Sequence, residues 1–94
     1  KGGIGRWRKR DIDYKLWRDT VFQRDKYLCQ MPNCDKVERY LEAHHIKTYN
    51  KYPNLRLEVL NGITLCKKCH GKTFKKEEQF EALFNEMIRL KNLI

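Results

Sequence analysis

Four cysteines in two close pairs, Cys29-x4-Cys34 and Cys66-x2-Cys69, constrain this chain more than any of its hydrophobic runs. Each pair offers two sulfurs from one short segment, and four sulfurs about 2.3 Å from a common centre close a tetrahedral zinc site. A chain of 94 residues gains from such a staple, because small domains bury a low fraction of their surface. Disulfides are the competing use of four thiols, but these short spacings suit a metal better than a secreted disulfide framework. The run Cys66-Lys-Lys-Cys69-His70 also spells the C-x-x-C-H pattern of covalent haem attachment, with Met31 or Met87 as a second axial ligand. That reading leaves Cys29 and Cys34 without a role.

Charge narrows the partner. The sequence carries 21 Lys and Arg against 12 Asp and Glu, a formal net charge of +9, and such a field raises the local concentration of polyanions. Nucleic acid is the leading candidate, ahead of a merely well-solvated cationic surface. No apolar run approaches the ~18 residues of a membrane span, and no secretory apolar segment is visible. The sequence opens at Lys1 without an initiator Met, which is compatible with a fragment or a processed product.

Along the chain, residues 1–10 are rich in Gly and positive charge and read as a basic flexible arm, with residues 11–94 as one domain. Asp11 or Asp13 can cap a helix over about Tyr14 to Arg24, with Leu16, Trp17, Val21 and Phe22 on its apolar stripe. Met31-Pro32-Asn33 is a turn that lets the first cysteine pair face one ion. Val37 to Ile46 is strand-like and ends on His44-His45; the polar loop Lys47 to Asn54 follows, and Gly62 to Leu65 is a second strand. Cys69-His70 opens a helix. The segment Lys75 to Leu93 is the strongest helical pattern, with Phe80, Leu83, Phe84, Met87, Leu90 and Leu93 or Ile94 as its core face and Glu77 and Glu78 in the first turn. The expected fold class is small α+β, a two-stranded hairpin and helix around zinc with a helix at either end.

The thiols bracket a His44-His45 doublet, Asn61 and His70. This order resembles the HNH endonuclease family over about residues 24–73, roughly half the chain. The resemblance implies a ββα-metal fold in which His45 is the general base, Asn61 follows the loop, and His44 and His70 hold one catalytic divalent ion, while Cys29, Cys34, Cys66 and Cys69 hold structural zinc. It implies hydrolysis of DNA phosphodiesters to 5′-phosphate and 3′-hydroxyl ends. It also implies phages, mobile elements or restriction systems as a setting, and so a reducing cytoplasm of a bacterium or a phage-infected host. Two departures stand out: four residues separate Cys29 from Cys34 where two are common in the family, and the arm matches nothing in it.

The chemistry is intelligible without the name. Hydrolysis needs a water deprotonated near neutral pH, and histidine, with an unperturbed pKa of about 6.5, is the natural base. The Asn61 amide can hold that base in one tautomer, directly or through the strand backbone. Two imidazoles suit Mn²⁺, Ni²⁺ or Zn²⁺ better than Mg²⁺. Consecutive helical side chains diverge by about 100°, so Cys69 can serve zinc while His70 serves the second ion. On a straight strand His44 and His45 would face opposite sides, so a twist or a strand end must bring them to one site. Phosphate contacts are expected from Arg6, Arg8, Lys9, Arg10, Lys47, Lys51 and Lys72, and Trp7, Tyr49 and Tyr52 could stack on bases, whereas Trp17 is expected to pack. The alternative function is a zinc-knuckle nucleic-acid-binding module without catalysis. A homodimer, further domains and phage proteins stay open as partners.

Overall fold

A computed structural model describes residues 8–93. Its elements in chain order are helix α1 (Lys9–Arg24), strand β1 (Leu41–His45), two 3-10 turns (Pro53–Leu55 and Val59–Asn61), strand β2 (Gly62–Cys66), helix α2 (Lys67–Lys72) and helix α3 (Glu77–Lys91). β1, β2 and α2 follow one another, so the ββα order expected of the sequence is present. No helix among the described residues is long and apolar enough to cross a membrane.

Helix α1 begins two residues before Asp11, with Arg8 at its N-cap and no side-chain cap. Asp11 sits inside the first turn, where its charge favours the helix dipole, and i,i+4 pairs Lys9–Asp13 (2.7 Å) and Lys15–Asp19 (2.8 Å) support the exposed face. Lys9 and Arg10, read as arm residues, are thus helical. Arg6 and Trp7 lie outside the described residues. The buried face is set by Trp17 and Val21, one turn apart, so Leu16, rotated about 100° from Trp17, is 60% exposed and not part of the core.

Beyond α1, Lys26 and Tyr27 both take left-handed backbone angles (φ 60 and 59) and turn the chain back toward the hairpin. Asp25, which closes the helix, is buried. Its carboxylate accepts from Arg24 Nε and Nη2 (2.8 Å each) and from the Thr64 backbone N–H (2.9 Å), fastening α1 to β2.

The strands pair antiparallel with Leu41 opposite Cys66, His44 opposite Ile63 and His45 opposite Gly62. The strand expected from Val37 contracts to Leu41, because β2 stops at Cys66, which caps α2, and leaves residues 37–39 no partner; one further bond joins Lys67 N to Tyr40 O (2.7 Å). Side chains alternate across β2. Ile63 and Leu65 join Cys29, Met31, Ile46, Phe84 and Ile88 on one face, while Gly62 and Thr64 meet α1, which packs Trp17 and Val21 with Ala43 on the other.

Helix α3 meets this core through Phe84 and Ile88, with Phe80 and Met87 at the margin. Leu83, Leu90 and Leu93, expected inside, are exposed, Leu93 by 70%. The stripe runs i, i+4, i+7, i+8 from Phe80, so Ile88 rather than Leu90 completes it. Ion pairs Lys47–Glu81 and Lys51–Glu78 (3.0 Å) tie the loop after β1 to this helix.

Gly62 lets α1 lie close to the hairpin. A Cβ there would come within 2.6 Å of Val21 Cγ2 and 2.7 Å of Trp17 Cζ2, both in packed side chains. Gly62→Ala is therefore expected to cost about 1–3 kcal/mol through overpacking, read as a lowered midpoint of thermal unfolding; an unchanged midpoint would mean that α1 yields freely.

Candidate metal and catalytic site

The four cysteine sulfurs lie within 4.8 Å of one another, with Cys34 Sγ and Cys66 Sγ 4.0 Å apart. Sulfurs at the corners of a zinc tetrahedron are about 3.8 Å apart, so the cluster is of a size that could hold a zinc ion. The four residues between Cys29 and Cys34 are absorbed by a tight turn, in which Cys34 N donates to Met31 O (3.2 Å) and Asn33 takes a left-handed φ of 66. Burial raises the Cys29 and Cys69 thiols above their usual range, while the Lys36 N–H beside Cys34 lowers that thiol. A bound cation reverses the cost of burial, since coordinated sulfur is thiolate. Haem attachment would use only Cys66 and Cys69, whereas all four sulfurs gather in one cluster.

α2 begins at Lys67, not at Cys69. Cys66 is its N-cap, its sulfur 3.4 Å from Cys69 N. Cys69 and His70 occupy the third and fourth helical positions and diverge, Cys69 to the thiol cluster and His70 to β1.

His44 lies on the same strand face as Glu42. It is 4% exposed, and its Nε2 has no hydrogen-bond partner. Its ring is 5.2 Å from that of His70, edge-on at 71°. Burial, then the nearby His70 and His45, push its pKa down to about 4, so the imidazole is neutral with a lone pair available, as a metal ligand requires. The donor set fits a divalent ion of nitrogen preference. His70 Nδ1 is hydrogen-bonded to Glu42 Oε1. Among the described residues, the four cysteines are the one group of three or more His, Cys, Asp or Glu side chains close enough to share an ion, so the histidines form a pair.

His45 points to the other face. Its ring stacks on Trp17, centroids 4.1 Å apart and 12° from parallel, and meets Tyr49 edge-on at 5.3 Å. Trp17 is itself held by Nε1–H donating to Glu58 O (2.8 Å). His45 Nε2 lies 3.0 Å from Arg56 O. A carbonyl can only accept, so Nε2 carries the proton and Nδ1 keeps the lone pair. Burial lowers the pKa of His45, against the opposing pull of the Arg56 carbonyl.

The hydrogen bonds of the Asn61 amide go to the loop backbone rather than to the His45 ring. Asn61 Oδ1 accepts from Lys47 N (2.8 Å), and its Nδ2 donates to Lys47 O (3.1 Å) and Leu55 O (3.2 Å). It thereby fixes both ends of the loop whose next carbonyl, that of Arg56, holds the His45 ring.

β1 ends at His45, and there the two strand faces open onto one cavity of about 380 Å³ lined by Tyr14, Ala43, His44, His45, Thr48, Tyr49, His70 and Glu77. His44 and His45 keep opposite faces of the strand, and both line this cavity at its end. A neighbouring cleft along α1 shares Tyr14 and Tyr49 and adds Arg10, Asp11, Lys15 and Arg18. Arg8, Lys9 and Lys72 are exposed; Lys9 pairs with Asp13, Lys15 and Arg18 with Asp19, and Lys47 and Lys51 with glutamates of α3. Lys15 and Arg18 escaped the sequence reading, because a cation on a helix face is not distinguished by pattern from a solvated one. Glu42 was findable: two residues before His44, it must share that histidine's face.

A search of curated proteins and one of solved structures gave no match. The family model for HNH endonuclease matches residues 29–76. That span takes in both cysteine pairs, the histidine doublet, Asn61 and His70 and covers just over half of the sequence, and by it the chain belongs to the HNH endonuclease family.

Proposed function

We propose that this protein is a metal-dependent DNA endonuclease in which His45 is the general base and His44 and His70 bind one divalent ion, with zinc on the four cysteines as a structural staple. The observation that carries this reading is the convergence of His44, His45 and His70 on one open cavity, His44 with an unpartnered buried Nε2 and His45 with its proton fixed away from Nδ1. In this reading His45 Nδ1 takes the proton of the attacking water. The Arg56 carbonyl and the Trp17 ring hold the imidazole in place, and Asn61 acts through the loop backbone as a positioning residue. An ion on His44 and His70 would supply charge stabilisation at the phosphate and the departing 3′ oxygen. The products expected on this reading are 5′-phosphate and 3′-hydroxyl ends.

The cleft of Arg10, Lys15 and Arg18 adjoins this cavity at Tyr14 and Tyr49 and suits a phosphate backbone; Arg8, Lys9 and Lys72 are further exposed cations, and Arg6 lies outside the described residues. Lys9, Lys15, Arg18, Lys47 and Lys51 would have to leave their carboxylate partners to contribute. Phosphate contacts carry no base information, so binding should weaken steeply with salt and show little sequence preference. The free thiols of the cluster suit a reducing compartment.

The metal profile tests the ion site. Cleavage of supercoiled plasmid with Mn²⁺ or Ni²⁺ is expected to equal or exceed that with Mg²⁺, because imidazole nitrogen suits the first two, and His44→Ala should remain folded and lose this response. Activity with Mg²⁺ alone would refute a two-histidine site. Plasmid retardation without cleavage under any metal would favour the non-catalytic binding module.

A further inference from the structure

Glu42 stands two residues before the buried histidine, pairs across the hairpin with Leu65, and extends its carboxylate to His70 on the following helix. An ionised carboxylate can only accept a hydrogen bond, so His70 Nδ1 must be the protonated nitrogen in this contact, and the lone pair of the neutral ring is left on Nε2. The side chains of both residues are about one-third exposed, 36% for His70 and 35% for Glu42, and α2 is a helix of only six residues. Besides this contact, the His70 ring meets that of His44 edge-on at 5.2 Å. His44, by contrast, is held by burial and by Phe84 edge-on at 5.5 Å.

We propose that Glu42 is the positioning residue of the ion site: by accepting the Nδ1–H of His70 it selects the tautomer that presents Nε2 to a divalent cation and holds the ring toward His44. This rests on the assignment of His44 and His70 to one ion. A carboxylate behind a ligating imidazole fixes ring orientation and raises the basicity of the ligating nitrogen, and its removal commonly lowers metal affinity 10- to 100-fold. Strand β1 then supplies one ligand directly, through His44, and orients the other, through Glu42, from the same face. A hairpin slip of one residue would lose both together.

The test compares wild type, Glu42→Ala and Glu42→Gln, all zinc-loaded, by two readouts. The first is the ¹⁵N tautomer signature of His70 in the absence of a second metal; the second is Mn²⁺ affinity by calorimetric titration. Wild type should show Nδ1 protonated and Nε2 bare. Glu42→Ala should lose that signature and bind Mn²⁺ about 10- to 100-fold more weakly, with its thermal midpoint close to wild type. Glu42→Gln keeps a carbonyl acceptor and should recover both in large part. A wild-type His70 protonated on Nε2, or Glu42→Ala binding Mn²⁺ as tightly as wild type, would overturn the role given to Glu42. Wild type that takes up no Mn²⁺ beside its zinc would strike down the ion site itself, and this inference with it.

Discussion

Cys66→Ser is expected to unfold the domain, not merely to inactivate it. Cys66 ends β2 opposite Leu41, caps α2, and contributes one of four clustered sulfurs at the centre of the larger core. Serine can keep the cap but cannot replace a thiolate at zinc. Structural zinc contributes on the order of 10 kcal/mol in small zinc modules, comparable with the whole stability of an ordinary domain, about 5–15 kcal/mol. Core packing of Cys29 and Met31 and the bond from Gln30 N to Thr64 O (2.9 Å) also tie the first cysteine segment to β2, but they are not expected to replace an ion of that strength. Loss of zinc and of the cooperative thermal transition together, by metal analysis and circular dichroism, is the expected result. A mutant that melts like wild type would show that the cysteine cluster is not a structural zinc site.

His45→Ala is expected to remain folded, retain DNA affinity, and lose about 10²- to 10⁴-fold in cleavage rate, the usual contribution of a general base. The Trp17 ring loses its stacking partner, but Trp17 Nε1 stays bonded to Glu58 O and Val21 stays packed beside it, so helix α1 should hold its place. Burial lowers the pKa of His45 below its ordinary value of about 6.5. The neutral, basic form is therefore fully present above that value, and the wild-type rate should level off there and fall as pH drops through the lowered pKa. The mutant should lack this limb. A single-turnover pH profile of both proteins checks the sign: a wild-type rate that rises with acidity, or a mutant that keeps the wild-type rate, would remove His45 from the role of base.

Residue chemistry was legible in the sequence where spacing alone decides it. The cysteine pairs come together although their spacing departs from the commoner family pattern, since the Pro32-Asn33 turn absorbs the extra residues. β2 was found from Ile63, Thr64 and Leu65, and the two faces it buries follow from simple alternation. The faces of the amphipathic helices were harder. Leu16 and Leu90 satisfy a helical pattern as well as Val21 and Ile88 do, and only the positions of Gly62 and Ile63 on the hairpin decide which side turns inward. Residues 37–39 have strand-like composition but no strand partner, because Cys66 ends β2 by capping a helix. Within the candidate site, His44, His45 and His70 were placed from order alone, while the Trp17 stack, the Arg56 carbonyl and the Glu42 contact depend on long-range packing and left no local signal except the alternation that puts Glu42 beside His44. Lys47 and Lys51 show the opposite limit: their charge was plain, but not the glutamates of α3 that engage it.

The central claim is that a base and an ion site meet in the cavity at the end of β1. Incubation of supercoiled plasmid with zinc-loaded wild type beside zinc-loaded His45→Ala, across Mg²⁺, Mn²⁺ and Ni²⁺, tests it most directly. Nicked or linear plasmid that requires the added metal and disappears in the mutant is the predicted result. A folded wild type that shifts the plasmid in a gel yet cuts it with none of the three metals would contradict the account and leave a zinc-knuckle binding module in its place.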